Sequence, residues 1–580
     1  MTSRLTLGAM ALATAATLGV ALLGAASLGA ARASAAKPEA ACPGDNGGLS
    51  LSPGFCATIF ADNLGHVRHM AVRADGVLYV NTWSGRYFPT SPPPKAGFFV
   101  ALKDTTGAGK ADVIERFGPL PLAQLEAGGG SGVALYHDHI YFELGDKIVR
   151  YALPPGQLTP KGEPEVVLSG MPLTGDHYMH PFVISPKGEL FVDLGSATNS
   201  CQPQNRRAGV PGTMPCTELE TRAGTWRYDA DKLGQVFSAK ARYATGLRNG
   251  EGLAWDAEGR FYATQHGRDQ LQQNWDKLYP DHERTTELPA EVLVRETEGA
   301  DFGWPYCYYD GFQKKLVLAP EYGGDGGKAV GVCAQKTAPV ADFPGHWGPN
   351  DLAIYLGKAF PPAYRGGAYI AFHGSWNRAP APQAGYNVVY QPLRDGKAAG
   401  HWIVFADGFA GAERDPGKAA YRPTGLAVAP DGALYISDDV KGRIWRVTYH
   451  GPANAALASA HEVPAAVAPT ASAAPAAALP VPPGSSSAEV AQGDKVYHAN
   501  ACAGCHGADG SGTPLAPSLR SGPWLWGGAL DQITASIQNG IPAPKQYRSP
   551  MPAMGGSSLS PADVKAVSAY VWAIGRGKGS

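Results

Sequence analysis

The sequence predicts two folded parts joined by a tether: an all-β six-bladed β-propeller over residues 36–450, then a small all-α domain over residues 488–580. Three observations carry this. A turn followed by a short aromatic or β-branched strand recurs six times between Asp75 and Ile436. The 74 Gly and 49 Pro among 580 residues, with 44% hydrophobic residues, suit a turn-dense folded β protein rather than a disordered one. Residues 451–487 turn Ala- and Pro-rich, with Val463-Pro464, Ala468-Pro469 and Pro480-Val481-Pro482-Pro483, the composition of a semi-rigid spacer.

At the N-terminus, Arg4, the Ala/Gly/Leu run from Leu5 to Ala31 and the small residues Ala33-Ser34-Ala35 read as a secretory signal over residues 1–35. An uncleaved anchor is the competing reading, because the apolar run approaches the length of a span. No second such run follows, so the mature chain is expected to have no integral membrane span and to be periplasmic or secreted. A net charge of -1, with no basic run, argues against a nucleic-acid partner.

The six repeats are Asp75-Gly76-Val77-Leu78-Tyr79-Val80, Asp138-His139-Ile140-Tyr141-Phe142, Lys187-Gly188-Glu189-Leu190-Phe191-Val192, Glu258-Gly259-Arg260-Phe261-Tyr262-Ala263, Gly366-Gly367-Ala368-Tyr369-Ile370 and Asp431-Gly432-Ala433-Leu434-Tyr435-Ile436. Each blade of a propeller is a small antiparallel sheet and needs such a turn and strand. Their uneven spacing requires insertions, for which the Cys201 to Cys216 and Cys307 to Cys333 regions are natural places. Two of eight cysteines belong to the motif below. The other six suit three disulfides in an oxidising compartment, and nearest-neighbour pairing would join Cys42 to Cys56, Cys201 to Cys216 and Cys307 to Cys333, although sequence alone leaves the connectivity open.

In the C-terminal part, Cys502-Ala503-Gly504-Cys505-His506 lets two thiols add to haem vinyl groups while the next imidazole ligates the iron. Haem c is therefore expected, on Cys502 and Cys505, with His506 as one axial ligand. Met551, before Pro552-Ala553, is the choice for the other, with Met554 its rival. Ser560 caps and Pro561 opens a helix to about Ile574 whose Val564, Val567, Tyr570 and Val571 form an apolar stripe. From about Glu489 to Ser580 the chain resembles a class I cytochrome c domain, and Gly522 to Gly528 and Ile533 to Gly540 resemble the cytochrome modules of terminal oxidases.

In the propeller, Thr245-Gly246-Leu247-Arg248-Asn249-Gly250-Glu251 followed by Thr264-Gln265-His266-Gly267-Arg268-Asp269 resembles the soluble pyrroloquinoline quinone (PQQ) sugar dehydrogenases, above all their sorbosone dehydrogenase branch. The likeness continues through Asp301 to Pro305, His346 to Asn350, Phe372 to Arg378 and Tyr421 to Gly425. It implies that Arg248 and Asn249 contact PQQ, with Arg422 and Arg378 as further basic residues against its carboxylates. It implies Ca²⁺ held by the backbone carbonyls of Gly267 and Arg268, although His266 and Arg268 replace the family's usual neighbours there. It makes His177 the base, with His180 the alternative. Ser196 stands where the family can place a substrate-contacting acid, so glucose is not assumed.

The expected function is oxidation of a sugar, sugar aldehyde or polyol by PQQ, with Arg248 polarising the quinone, and electrons leaving through the tethered haem to an external cytochrome or terminal oxidase. Two other readings are a calcium-dependent propeller lactonase and a non-catalytic electron-transfer or binding protein. A lactonase would have no obvious use for a haem and would present carboxylate or amide side chains to its metal.

Overall fold

Six antiparallel sheets follow one another along the chain, and the last is closed by the first long strand. The computed structural model describes residues 42, 44–82, 96–119, 130–379, 381–459, 479–513, 515–521, 523–547 and 550–577. The expected signal at 1–35 and most of the expected spacer lie outside them.

Blade 1 contains Met70–Val72, Leu78–Asn81, Phe99–Lys103 and Val113–Phe117; blade 2 runs from Val133–Tyr136 to Glu165–Ser169, blade 3 from Phe182–Ile184 to Arg242–Thr245, and blade 4 from Leu253–Trp255 to Ala341–Phe343. Blade 5 holds Pro349–Ile354, Ala368–Phe372, Asn387–Gln391 and Ile403–Asp407. Blade 6 holds Pro423–Val428, Leu434–Asp438 and Ile444–Tyr449, and its fourth strand is Phe55–Ala61 from the start of the chain. Sewing the N-terminal strand onto the last blade removes the open edge that a linear array would leave. The six turn–strand repeats of the sequence all fall on the second strand of their blades.

Each seam between blades carries a polar bolt: the first joins two second strands, and the others reach backbone that enters or lies within the next blade's innermost strand. The Asn81 amide donates to the Glu143 carbonyl, and the Glu143 carboxylate accepts the His180 N–H at 2.7 Å. Asp193 accepts the Gly250 N–H, Thr264 donates to the Pro349 carbonyl, Asp351 accepts the Leu426 N–H and Ser437 donates to the Arg68 carbonyl. These groups are buried, so each bolt satisfies backbone that would otherwise lie orphaned in an apolar ring. The segments that enter first strands and leave second strands are thereby fixed at one end of the propeller.

The C-terminal part is helical: Ser487–Ala499, Ala501–His506, Leu530–Asn539 and Pro561–Ile574. Ser486 and Glu489 form a capping box, and Ser560 accepts the Asp563 N–H as the N-cap with Pro561 at the first position. The first and last helices cross at Gly493, where an added Cβ would fall 2.0 Å from the Ala566 carbonyl oxygen. Around that crossing Val490, Val496, Tyr497, Val567, Tyr570 and Val571 form the core. The three disulfides are Cys42–Cys56, Cys201–Cys216 and Cys307–Cys333, the nearest-neighbour pairing. Among the described residues no helix is long and apolar enough to cross a membrane.

Candidate active site and haem crevice

The polar end of the propeller opens into a cavity of about 440 Å³ that continues without a break into the crevice of the helical domain. Its propeller wall includes Arg68, His177, Arg206, Arg248, Asn249, His266, Gly267, Asp269, Glu291, His346, Trp376 and Arg422. Its other wall includes Cys502, Cys505, His506, Trp524, Ile537, Met551 and Val571.

His177 is set by the exit of blade 3's second strand. Its Nδ1 lies 2.9 Å from the Ser196 carbonyl oxygen, which can only accept, so Nδ1 carries the proton and Nε2 keeps its lone pair. Ser196 spends its own hydroxyl hydrogen on the Thr198 carbonyl at 2.6 Å. Gly195 fits the turn because a Cβ there would collide with both the His177 Cβ and Asn249 Oδ1. Burial, then the Arg248 charge, holds His177 well below the ordinary imidazole range, so it is neutral at pH 7. His180 is not on the cavity wall; it is fully buried in the seam, with Nε2 against the Pro172 carbonyl and its N–H on Glu143.

Arg248 is 2% exposed and held on all sides: Nε donates to the Asn199 carbonyl, Nη1 to the Gly267 carbonyl at 3.0 Å, and Nη2 to Asn199 Oδ1 and to Asp269 at 2.8 Å. Asp269 also pairs with Arg206 at 2.8 Å, and Arg206 with Asp176 at 3.0 Å. Burial works to raise the Asp269 carboxyl, but the two guanidiniums outweigh it and keep Asp269 ionised. Arg422 donates to the His373 and Gly374 carbonyls and lies over the Tyr386 ring at 5.5 Å.

Arg378, expected beside these, is elsewhere. It is absent from the cavity wall, and its guanidinium is engaged by Glu287, Gly345 and Thr286 and by the Pro382 carbonyl. Gly267 reaches the wall, whereas Arg268 does not, its side chain being turned onto Glu321 and Asn274. Among the described residues no group of three His, Cys, Asp or Glu is placed to hold a metal ion.

Arg68, Arg206 and Glu291 on this wall carry no signal that the sequence offered, and Asp269 stands in the sequence only as the last residue of the His266 motif, without a role. Glu291 accepts the Gly267 N–H at 2.7 Å and the Gly348 N–H at 3.3 Å, and burial pushes its carboxyl up to about 8. His266, His346 and His373 are lowered by burial to about 3, 4 and 4. Asn249 Oδ1, His346 Nδ1 and Asn377 Oδ1 are buried here without a hydrogen-bond partner. Orphaned polar atoms beside a cluster of guanidiniums fit a planar, polar, anionic ligand.

In the helical domain His506 Nδ1 donates to the Pro517 carbonyl at 2.9 Å, leaving Nε2 bare toward the crevice. The Cys502 and Cys505 thiols are unpaired, and burial pushes them up to about 11 and about 12. Met551 is fixed by paired backbone hydrogen bonds with Ile541 and lines the cavity; Met554 packs in the same core at φ 57 but is not on the wall. An apolar crevice with a bare imidazole and two thiols on one side and a thioether on its wall fits haem c.

Residues 130–450 match the TrAA12-like family model and residues 490–574 the cytochrome c model. Among curated proteins, the Cbb3-type cytochrome c oxidase subunit FixP of Rhizobium etli is 40% identical over 88 residues, 15% of this chain and 30% of that protein. The pyrroloquinoline quinone-dependent pyranose dehydrogenase of Coprinopsis cinerea is 27% identical over 237 residues, 34% of this chain and 30% of that one. The chain thus spans about 30% of the length of these curated relatives. The holo PQQ domain of the Coprinopsis cinerea pyranose dehydrogenase superposes with a TM-score of 0.53 at 19% identity, covering 69% of this chain and 97% of that one. A Trichoderma reesei family AA12 carbohydrate-active enzyme gives 0.54 at 17%, covering 69% and 98%. At these identities the solved structures establish the shared propeller fold. With its model matched over more than half the sequence, the chain belongs to the TrAA12-like family, and it carries a cytochrome c domain behind the propeller.

Proposed function

We propose that this protein oxidises a sugar, sugar aldehyde or polyol with PQQ in the propeller and delivers the electrons to its own haem c. The observation that carries the reading is the single cavity whose walls hold His177, Arg248, Asn249 and Arg422 on one side and Cys502, Cys505 and His506 on the other. A lone propeller hydrolase would have no use for that continuity.

Arg68, Arg248, Asn249 and Arg422 would hold PQQ: guanidiniums for its carboxylates, and the Asn249 side chain on its polar edge. Of the expected calcium pair the Gly267 carbonyl, a hard oxygen donor on the wall, would be the one to hold Ca²⁺ beside it. PQQ, when bound, would supply the two-electron oxidising chemistry for the hydroxyl-bearing carbon. The residues do the rest. His177, neutral with Nε2 facing the cavity, takes the hydroxyl proton. Arg248 keeps its charge next to Asp269 and places a fixed positive field where oxygen charge develops, without reorganising at the moment of reaction. Cys502 and Cys505 would anchor the haem and His506 and Met551 would ligate its iron, and haem would supply one-electron transfer. The electrons pass next to an external cytochrome or oxidase.

The test is spectroscopic. Oxidised haem protein free of PQQ is mixed with Ca²⁺ and a panel of aldoses, sugar aldehydes and polyols, with and without PQQ. Reduced haem bands appearing only with both PQQ and a substrate support the reading. If neither the haem nor an artificial dye is reduced by any substrate, the dehydrogenase reading fails.

A further inference from the structure

The haem motif leaves its two middle positions open, because only the cysteines and histidine touch haem. In this chain one of them is decided by something else. A Cβ on Gly504 would fall 1.8 Å from the Trp376 carbonyl oxygen and 3.4 Å from its ring Cε3. The obstacle is propeller backbone, which cannot swing aside as a side-chain tip can. Trp376 is on the cavity wall, and the Arg206 guanidinium lies 5.8 Å from its ring centre. Arg206 is in turn held by Asp176 and by Asp269, the carboxylate that also holds Arg248. An unbroken line of contacts therefore runs from Arg248 through Asp269, Arg206 and Trp376 to the segment between the haem cysteines.

Other contacts repeat the seating away from this point. The Gln270 amide donates to the Gly555 carbonyl at 2.7 Å, and the Ser558 N–H donates to the Gln273 carbonyl, so the loop after Met551 also sits on the propeller. On the other flank the Ala508 N–H donates to Asp415, and Lys418 pairs with Asp509 at 3.4 Å.

We infer that Gly504, Trp376 and Arg206 form a docking contact that seats the haem-bearing segment on the mouth of the propeller, and that electron transfer within the chain depends on the absence of a side chain at position 504. The electron-transfer half rests on the function proposed above; the docking half does not. Oxidation of one CH–OH to C=O releases two electrons and two protons. The single haem takes one electron, and an external one-electron acceptor empties it before the second crosses. Seating therefore has to coexist with an exposed route from haem to acceptor, which fixes the docked side of the domain as the donor-facing side.

Two variants of the full-length haem protein test this. In Gly504→Val, zero-length carbodiimide coupling of Lys418 to Asp509 is measured by peptide mass in PQQ-free protein, beside haem content and the dithionite-reduced spectrum. Cross-link yield should fall at least fivefold, and sugar-driven haem reduction at least tenfold relative to sugar-driven dye reduction. Lys418→Glu should slow haem reduction relative to dye reduction, and adding Asp509→Lys should restore it, which a merely folding-impaired variant would not do. An unchanged cross-link and an unchanged haem-to-dye ratio in Gly504→Val, or no rescue by the charge swap, would overturn the inference. A lost cross-link in a protein whose wild type reduces no dye would keep the docking and sink the dehydrogenase.

Discussion

The two walls of the cavity are built on opposite principles. On the propeller side nearly every charged group already has a partner that fixes it: Arg248 is held by Asn199, Gly267 and Asp269 with one Nη1 donor left over, Arg206 by Asp176 and Asp269, and Arg422 by two carbonyls that leave its other donors open. On the helical side the crevice is apolar, its thiols are pushed up by burial, and its imidazole offers a bare nitrogen. The first wall is pre-organised by bolts between blades and can wait for a dissociable ligand. The second needs its prosthetic group to complete its core. Stability and function are thus separable in the propeller and joined in the helical domain.

The sharpest way to break this contrast is at the crevice. Cys505→Ala should abolish sugar-driven haem reduction, by two orders of magnitude or more, and lower the melting of the helical domain, while the propeller's unfolding transition stays in place; calorimetry with resolved transitions reads both. A single shared transition would show that the two walls are not independent.

Next in size is the proposed base. His177→Asn should lower sugar-driven dye reduction by about 10²–10⁴-fold, the usual worth of a positioned general base, with the haem spectrum unchanged. Because burial and Arg248 lower the pKa of His177, its neutral form persists below the ordinary 6.5. The acid limb of kcat/KM in the wild type should therefore lie below pH 6.5, and a limb above it would remove His177 from the role.

Arg248→Met leaves Asp269 with Arg206 as its remaining guanidinium, so the loss should fall short of the about 3–5 kcal/mol that an uncompensated buried charge costs. Denaturant unfolding should show that loss in the propeller alone. At the crevice, Met551→Ala should remove the Met-to-iron charge-transfer band and lower the haem midpoint potential, and Met554→Ala should leave both in place.

The smallest effect is a pH slope. Burial raises Glu296 to about 8 from an ordinary 4.5, so between those values the folded state binds a proton that the unfolded chain has lost. The folded state is then penalised as pH rises through that window. Glu296→Gln, which keeps an acceptor for Thr225, should flatten the decline of propeller stability from pH 5 to pH 8.

Much of this was legible in the sequence, for reasons that differ by residue. The six second strands announce themselves because each follows a Gly-bearing or Asp-led turn and is long enough to show a pattern. The innermost strands do not: Met70–Val72, Phe182–Ile184 and Leu253–Trp255 are three residues each, and their environment comes from neighbouring blades. His506 and the two thiols are local chemistry, read from five consecutive residues. Asp269 and Arg206 are legible only in space, since their partnership joins blade 4's exit to the Cys201–Cys216 loop. Arg378 and Arg422 look alike in sequence, and only the position of Glu287 shows why one is turned aside. Gly504 is an open position of the haem motif in sequence, and only the Trp376 carbonyl beside it in space constrains it.

The most direct test of the central claim, one cavity serving two cofactors, is a single-turnover experiment: PQQ- and Ca²⁺-loaded oxidised protein is mixed with substrate in a stopped-flow instrument at several protein concentrations. The account predicts haem reduction with a first-order rate constant independent of protein concentration. A rate that rises in proportion to protein concentration would mean that electrons travel between molecules, and the shared cavity would not be the route.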